Sequence, residues 1–254
     1  MSRMPVNTAI MAPSAQTSTM YTTYSLIVSL LTVSSLCAPA PAATSCPDIH
    51  IFGARNTGTS QTGTQKGYGA AYPFVTDILN AYPGSTAEAI IYPANGTASL
   101  TDATYKASVR AGVANLTAQV KSFAGRCTAT KLVLVGYSQG AKIIDDALCG
   151  GGDPNSGISD TAATIAQFNI KAVLLPGDDR FTPGESFHVG NATHGGFDAR
   201  PADQVSCGKY DAAIQLYCDA EDEFCSNGTS LAVHNGYYKE FGSKALAFVK
   251  SRLG

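Results

Sequence analysis

The chain contains no tryptophan and only four histidines, and charged residues make up only 14% of its 254 positions. Scarce histidine shortens any search for a general base or a metal ligand. Lysine and arginine number 17 against 19 acidic residues, with no run of five or six like charges, so no basic face is available to a nucleic acid. None of the seven cysteines forms a C-x-x-C pair and no histidine pair stands beside them, which argues against a zinc site. No internal repeat is evident. Long apolar runs are missing as well, except near the N-terminus.

That exception, "YSLIVSLLTVSSLCAPAPAA" (Tyr24 to Ala43), is too short and too serine-rich for a membrane span. Small residues follow it, and Ala40-Pro41-Ala42 fits the A-x-A pattern of a secretory cleavage site. Residues 1–43 are therefore expected to be a signal region, with Met20 as an alternative start that gives a leader of ordinary length. The expected mature chain, 44–254, is long enough for one domain with a sizeable core, secreted, extracellular and free of the membrane once cleaved. Cys37 falls in the leader. The mature cysteines are then Cys46, Cys127, Cys149, Cys207, Cys218 and Cys225, an even number that suggests disulfides in an oxidising compartment. Sequons at Asn95, Asn115, Asn191 and Asn227 agree with export.

Strand-like and helical patterns alternate from Cys46 onward. "DIHIFGA", "TAEAIIYP", "KLVLVG", "NIKAVLLPG" and "AIQLYCD" read as five strands. Pro73 suits the first turn of a helix whose apolar face is Phe74, Val75, Ile78 and Leu79. Tyr105, Val109, Val113, Leu116, Val120 and Phe123 mark a second amphipathic helix, and Tyr238, Phe241, Ala245, Val249 and Leu253 the last one. Such alternation predicts an α/β fold, a mostly parallel sheet covered by helices on both faces.

Within "KLVLVGYSQGAKIIDDAL", Ser138 stands in a G-x-S-x-G pentad where the apolar strand gives way to a helix. A sharp strand-to-helix corner lifts that serine above the sheet, in position to attack an electrophile. A serine hydroxyl is a poor nucleophile at neutral pH and needs a base oriented by an acid. His50 precedes the serine and reads as a packed or surface strand residue. His188 and His194 flank Gly190 in a loop and have the spacing of a weak metal pair. His234, in "LAVHNGYY" at the entry to the last helix, has the placement expected of the base. For the acid, Asp219 and Asp222 lie in "YCDAEDEFC", bracketed by two cysteines close enough to close a small ring, while Asp178 and Asp179 compete from a turn after the fourth strand. Spacing alone leaves this choice open.

"CPDIHIFGAR", "GYSQGAKIIDDALCGGGDPN", "YCDAEDEFCSNGTS" and "HNGYYKEFGSKALAFVKSRLG" resemble the cutinase and acetylxylan esterase group, carbohydrate esterase family 5, from about Cys46 to Gly254. The likeness is nearest to the fungal acetylxylan esterases. It implies a lidless, cutinase-like α/β-hydrolase sandwich of three layers with a five-stranded central sheet, acting without metal or cofactor as a monomer. It implies Ser138 as nucleophile, His234 as base and, three residues before the second ring cysteine, Asp222 as acid. The oxyanion donors implied are the Gln139 N–H and Thr57 in "GARNTG". Implied disulfides are Cys46–Cys127, Cys149–Cys207 and Cys218–Cys225, and two further bridges of related esterases are missing, one of them with Ala192 and Ser226 at its positions. Phe224 takes the place of an aromatic that closes the acyl pocket in acetylxylan-specific members, where tyrosine is the better match. The implied substrate is thus an acetyl ester of plant polysaccharide such as acetylated xylan. Cutin-like or other short esters are the alternative, and a non-catalytic wall-binding protein is the alternative of another class.

Overall fold

The computed structural model describes residues 45–254, so the leader expected over residues 1–43 lies outside the described residues. In chain order the elements are β1 (Ile49–Ala54), α1 (Tyr72–Ala81), β2 (Thr86–Ala89), α2 (Ala103–Arg126), β3 (Lys131–Gly136), α3 (Gln139–Cys149), β4 (Ile170–Pro176), β5 (His188–Val189), β6 (Ile214–Tyr217), α4 (Leu231–His234) and α5 (Tyr237–Leu253). The strands form one sheet in the order β2-β1-β3-β4-β6-β5, every described pairing being parallel. Leu132, Val133, Leu134 and Val135 are buried along β3, as expected of a central strand covered on both faces. α1 packs with α5 and α2 with α3, pairs that cover the two faces as right-handed crossovers require. This is the α/β-hydrolase sandwich that the sequence implies.

The expected stripe of α2, from Tyr105 to Phe123, is buried throughout. Asp102 starts that helix by accepting the Thr104 N–H (2.7 Å) and the Tyr105 N–H (3.3 Å). Its C-cap, Cys127, is tied to Cys46 by a disulfide, which fastens the segment before β1 to the end of α2.

Three expectations need correction. The second strand ends at Ala89, not near Pro93, because the buried Arg55 guanidinium takes the carbonyls of Tyr92, Pro93 (3.0 Å) and Ile90 (3.4 Å), groups a longer ladder would need. The sheet has a sixth strand, β5, whose two residues pair with Leu216 and Tyr217 at the edge. A strand that short leaves no readable alternation. The apolar stripe of α5 begins at Tyr237, fully buried, rather than at Tyr238, which is 37% exposed and donates to Asp77 Oδ2 (2.9 Å). Both tyrosines lie within a helical turn of Phe241, so spacing does not separate them.

Candidate active site

The chain runs from β1 outward to β2 and then back across to β3, so the strand order reverses between β1 and β3. Crevices beyond the carboxyl ends of strands at such a reversal are where ligands bind in open α/β sheets. Thr57 follows β1 and Ser138 follows β3, which brings both to this crevice.

Ser138 has φ 54° and ψ −122°, a conformation worth about 1–3 kcal/mol of local strain for a residue with a side chain. Neighbouring atoms hold it there. Its N–H donates to Pro176 O (2.9 Å), and the Ala141 and Lys142 N–H groups donate back to its carbonyl at 2.7 and 3.0 Å. The second pentad glycine is a packing necessity, since a Cβ on Gly140 would lie 2.2 Å from Ala54 O. Ser138 is the N-cap of α3, yet its side chain makes no capping bond. The Gln139 N–H, first of α3, has no partner within the helix. The Gln139 side chain donates to Thr57 Oγ1 (3.3 Å) and accepts from the Ser108 hydroxyl (2.8 Å), joining the loop after β1 to the nucleophile corner.

His234 ends α4, a short turn started by Ser230, whose hydroxyl accepts the Val233 N–H (3.2 Å). Its Nδ1 lies 2.8 Å from Asp222 Oδ2, with both side chains buried. The other carboxylate oxygen, Oδ1, accepts the N–H groups of Phe224 (2.7 Å) and Cys225 (3.0 Å) inside the ring closed by Cys218–Cys225. Oδ2 also accepts from the Tyr237 hydroxyl at 2.7 Å. Burial works against the Asp222 charge, but the His234 contact and these donors outweigh it and hold the carboxyl below its usual range. So short a ring contributes only ~2.5 kcal/mol by loop entropy. Its larger effect here is to fix a carboxylate.

Phe224 meets the His234 ring edge-on, centroids 4.6 Å apart, and Gly177 lies against the same imidazole, where a Cβ would come 2.6 Å from its Cε1. Tyr137 donates to the His234 carbonyl (2.5 Å). Ser138 and His234 therefore both lie against the Pro176–Gly177 segment. The structure joins Asp222 to His234 directly; among the described residues no hydrogen bond links the Ser138 hydroxyl to the imidazole. Such contacts are commonly long in free enzymes and tighten with substrate.

The competing candidates go elsewhere. Asp219 Oδ1 accepts the Asn191 N–H (3.0 Å) and secures the rim loop. Asp178 and Asp179, the competing acids in the turn after the fourth strand, are buried among other charges. Asp178 Oδ1 accepts the Arg180 N–H (3.0 Å), and Asp179 Oδ2 accepts from Tyr105 Oη (2.5 Å) while facing Lys142. These two belong to an ionic cluster around α3. Lys142, fully buried, pairs with Asp198 and Asp153 (3.3 Å); Arg180 pairs with Asp146 (3.2 Å) and Arg200 with Asp145 (2.6 Å). His50 is packed, stacked on Phe123 and bonded to Thr86 Oγ1 (2.7 Å), and burial pushes it down to about 4. His188 belongs to β5 and bonds Cys218 O through Nε2 (2.8 Å), while His194 is exposed next to Thr193.

Cysteines pair as Cys46–Cys127, Cys149–Cys207 and Cys218–Cys225, the pairs that the resemblance implies. Ala192 and Ser226 are buried, and Asn95, Asn115, Asn191 and Asn227 are exposed. The sequence reading missed Tyr237, the Ser108–Gln139 link and the cluster around Lys142.

Comparison with known proteins identifies the family of the chain. The cutinase family model matches residues 45–253. Acetylxylan esterase 2 of Talaromyces purpureogenus is 51% identical over 83% of this chain and 88% of its own length. Cutinase 11 of Verticillium dahliae is 48% identical, covering 82% and 70% respectively. An acetylxylan esterase solved at 0.90 Å resolution superposes with a TM-score of 0.76 at 51% identity, over 83% of this chain and the whole of that one.

Proposed function

Because the chain belongs to the cutinase family and is a carboxylic ester hydrolase, we propose that it removes acetyl groups from plant cell-wall polysaccharide, acetylated xylan foremost, through a Ser–His–Asp acyl-enzyme mechanism. The supporting observation is the Asp222–His234 pair, buried beside a serine held at a strained strand-to-helix corner. His234 accepts the Ser138 proton on Nε2 as Oγ bonds to the ester carbonyl carbon. Asp222 keeps the imidazole in the tautomer that has its proton on Nδ1. The carbonyl oxygen, now an oxyanion, takes hydrogen bonds from the Thr57 hydroxyl and the Gln139 N–H, each worth about 3 kcal/mol in comparable sites. As the tetrahedral intermediate collapses, the sugar oxygen leaves with the proton from His234. Water, deprotonated by the same imidazole, then releases acetate and restores Ser138.

Phe224 limits the acyl group. Its ring stands against His234 and Phe197, with centroids 4.6 and 6.4 Å away, where an acyl chain longer than acetyl would extend. The cutin-ester reading is favoured by the similarity to Cutinase 11 and by Leu231, 53% exposed in the same helical turn as His234. Three disulfides and four exposed sequons support an extracellular setting.

Rates on 4-nitrophenyl acetate and butyrate, together with acetate release from acetylated xylan against monomer release from cutin, test the proposal. Ser138→Ala removes all hydrolysis, the parent prefers acetate strongly, and Phe224→Ala flattens that preference. Equal rates on both esters in the parent refute the acetyl reading, and activity in Ser138→Ala refutes the mechanism.

A further inference from the structure

Tyr237 is fully buried at the first position of α5, and its hydroxyl occupies the centre of the acid's surroundings. The oxygen receives the Asp219 N–H at 3.0 Å, lies 3.3 Å from Cys225 Sγ and lies 2.7 Å from Asp222 Oδ2. A phenol has one proton to give. The Asp219 amide only donates, and a disulfide sulfur is a weak acceptor beside a carboxylate, so the proton points at Asp222. Burial and the neighbouring Asp222 charge raise the Tyr237 pKa far above the ordinary phenol range, which keeps that proton in place.

We propose that Tyr237 is a positioning residue of the reaction: it donates to the same Asp222 oxygen that faces His234 Nδ1, and so sets where that oxygen points and how much of its charge the imidazole receives. Two backbone donors anchor Oδ1, but they leave the carboxylate plane free to pivot about that oxygen. Tyr237 and His234 together fix the pivot. By drawing off part of the negative charge, the phenol also weakens the hold of Asp222 on the imidazolium. Asp219 in the ring and Tyr137 after β3 also act on this group of residues, and the Asp219 N–H loses its acceptor when the Tyr237 hydroxyl is removed. The inference rests on the assignment of Ser138, His234 and Asp222 above.

The test is Tyr237→Phe, measured on 4-nitrophenyl acetate across pH with folding checked by circular dichroism. We expect kcat to fall roughly tenfold at unchanged KM, the lower end of what losing an orienting hydrogen-bond partner costs at metal sites. The acid limb of the kcat/KM profile moves to higher pH, because a carboxylate without its phenol holds the imidazolium more tightly. Incorporating 3-fluorotyrosine at 237 preserves the packing and strengthens the donor, so the limb moves the other way. In an Asp222→Asn background, Tyr237→Phe has no further effect on kcat. An unmoved acid limb in both Tyr237 variants, or a full additional loss in the Asp222→Asn background, overturns the proposal. Should Asp222→Asn itself stay active, the underlying assignment of the acid falls instead.

Discussion

The site and the surroundings of α3 each bury a group of charge, and they solve the same problem differently. At the site, one carboxylate, Asp222, faces a histidine, a phenol and two backbone N–H groups, so it stays ionised although fully enclosed. Around α3, the seven buried carboxyls of Asp145, Asp146, Asp153, Asp178, Asp179, Glu185 and Asp198 share three buried cations, Lys142, Arg180 and Arg200. Cations cannot neutralise that excess, and protons make up the difference. Burial pushes Asp146 up to about 8 and Glu185 up to about 9, and raises Asp178 and Asp179 as well. A carboxylate that must act is surrounded by donors. Carboxyls that only pack can share too few.

The sharpest break between the two comes from Asp222→Asn, which leaves the shape of the site intact but favours the wrong imidazole tautomer. Its kcat falls by about 10⁴, with the melting temperature shifted by only a few degrees. Lys142→Met gives the converse result. Removing one partner from a buried ion pair costs about 3–5 kcal/mol, or roughly 10 °C in Tm for a domain of this size, while the molecules that remain folded keep their kcat. If Lys142→Met cost activity and not stability, the cluster would belong to the site and the contrast would fail.

The smallest effect, and the most diagnostic in sign, is pH dependence. Unfolded carboxyls titrate near ~4, whereas folded Asp146 and Glu185 hold their protons to about 8 and 9. Between those values only the folded state binds the protons. Their contribution to stability is therefore complete below about pH 4, declines as pH rises at up to ~1.4 kcal/mol per unit for each retained proton, and is gone above about pH 9. Asp222 has the opposite sign, because its lowered pKa adds stability above about pH 4 that is lost on acidification. Urea unfolding at pH 5 and pH 8 should find the protein more stable at pH 5, and Asp146→Asn should reduce the difference. A profile that rises toward pH 8 contradicts this account of the cluster.

How much could be read in advance follows the same division. Apolar runs such as Leu132–Val135 identified the sheet, and Ser138 and His234 stood out through a pentad at a strand-to-helix corner and the scarcity of histidine. Asp222 could not be separated from Asp219 by spacing; the family resemblance chose it, and the Asn191 contact of Asp219 supplies the physical reason. Lys142, Asp145 and Asp146 recur at helical spacing as a polar face does, yet α3 is covered there too. The residues that cover it, Asp179, Arg180, Asp198 and Arg200, arrive from later in the chain, and no local pattern reports them. Tyr237 was hidden by its neighbour Tyr238, since either fits the helix period and only packing tells them apart.

The twisted backbone at position 138 has a consequence for how such a protein ages under mutation. A residue with no side chain would rest there more easily than serine does. Random change that favours robustness at this corner therefore leads toward silence rather than toward better chemistry. Variants that have lost the hydroxyl need not be damaged proteins, and they offer a way to hold an intact ester in the crevice long enough to see it.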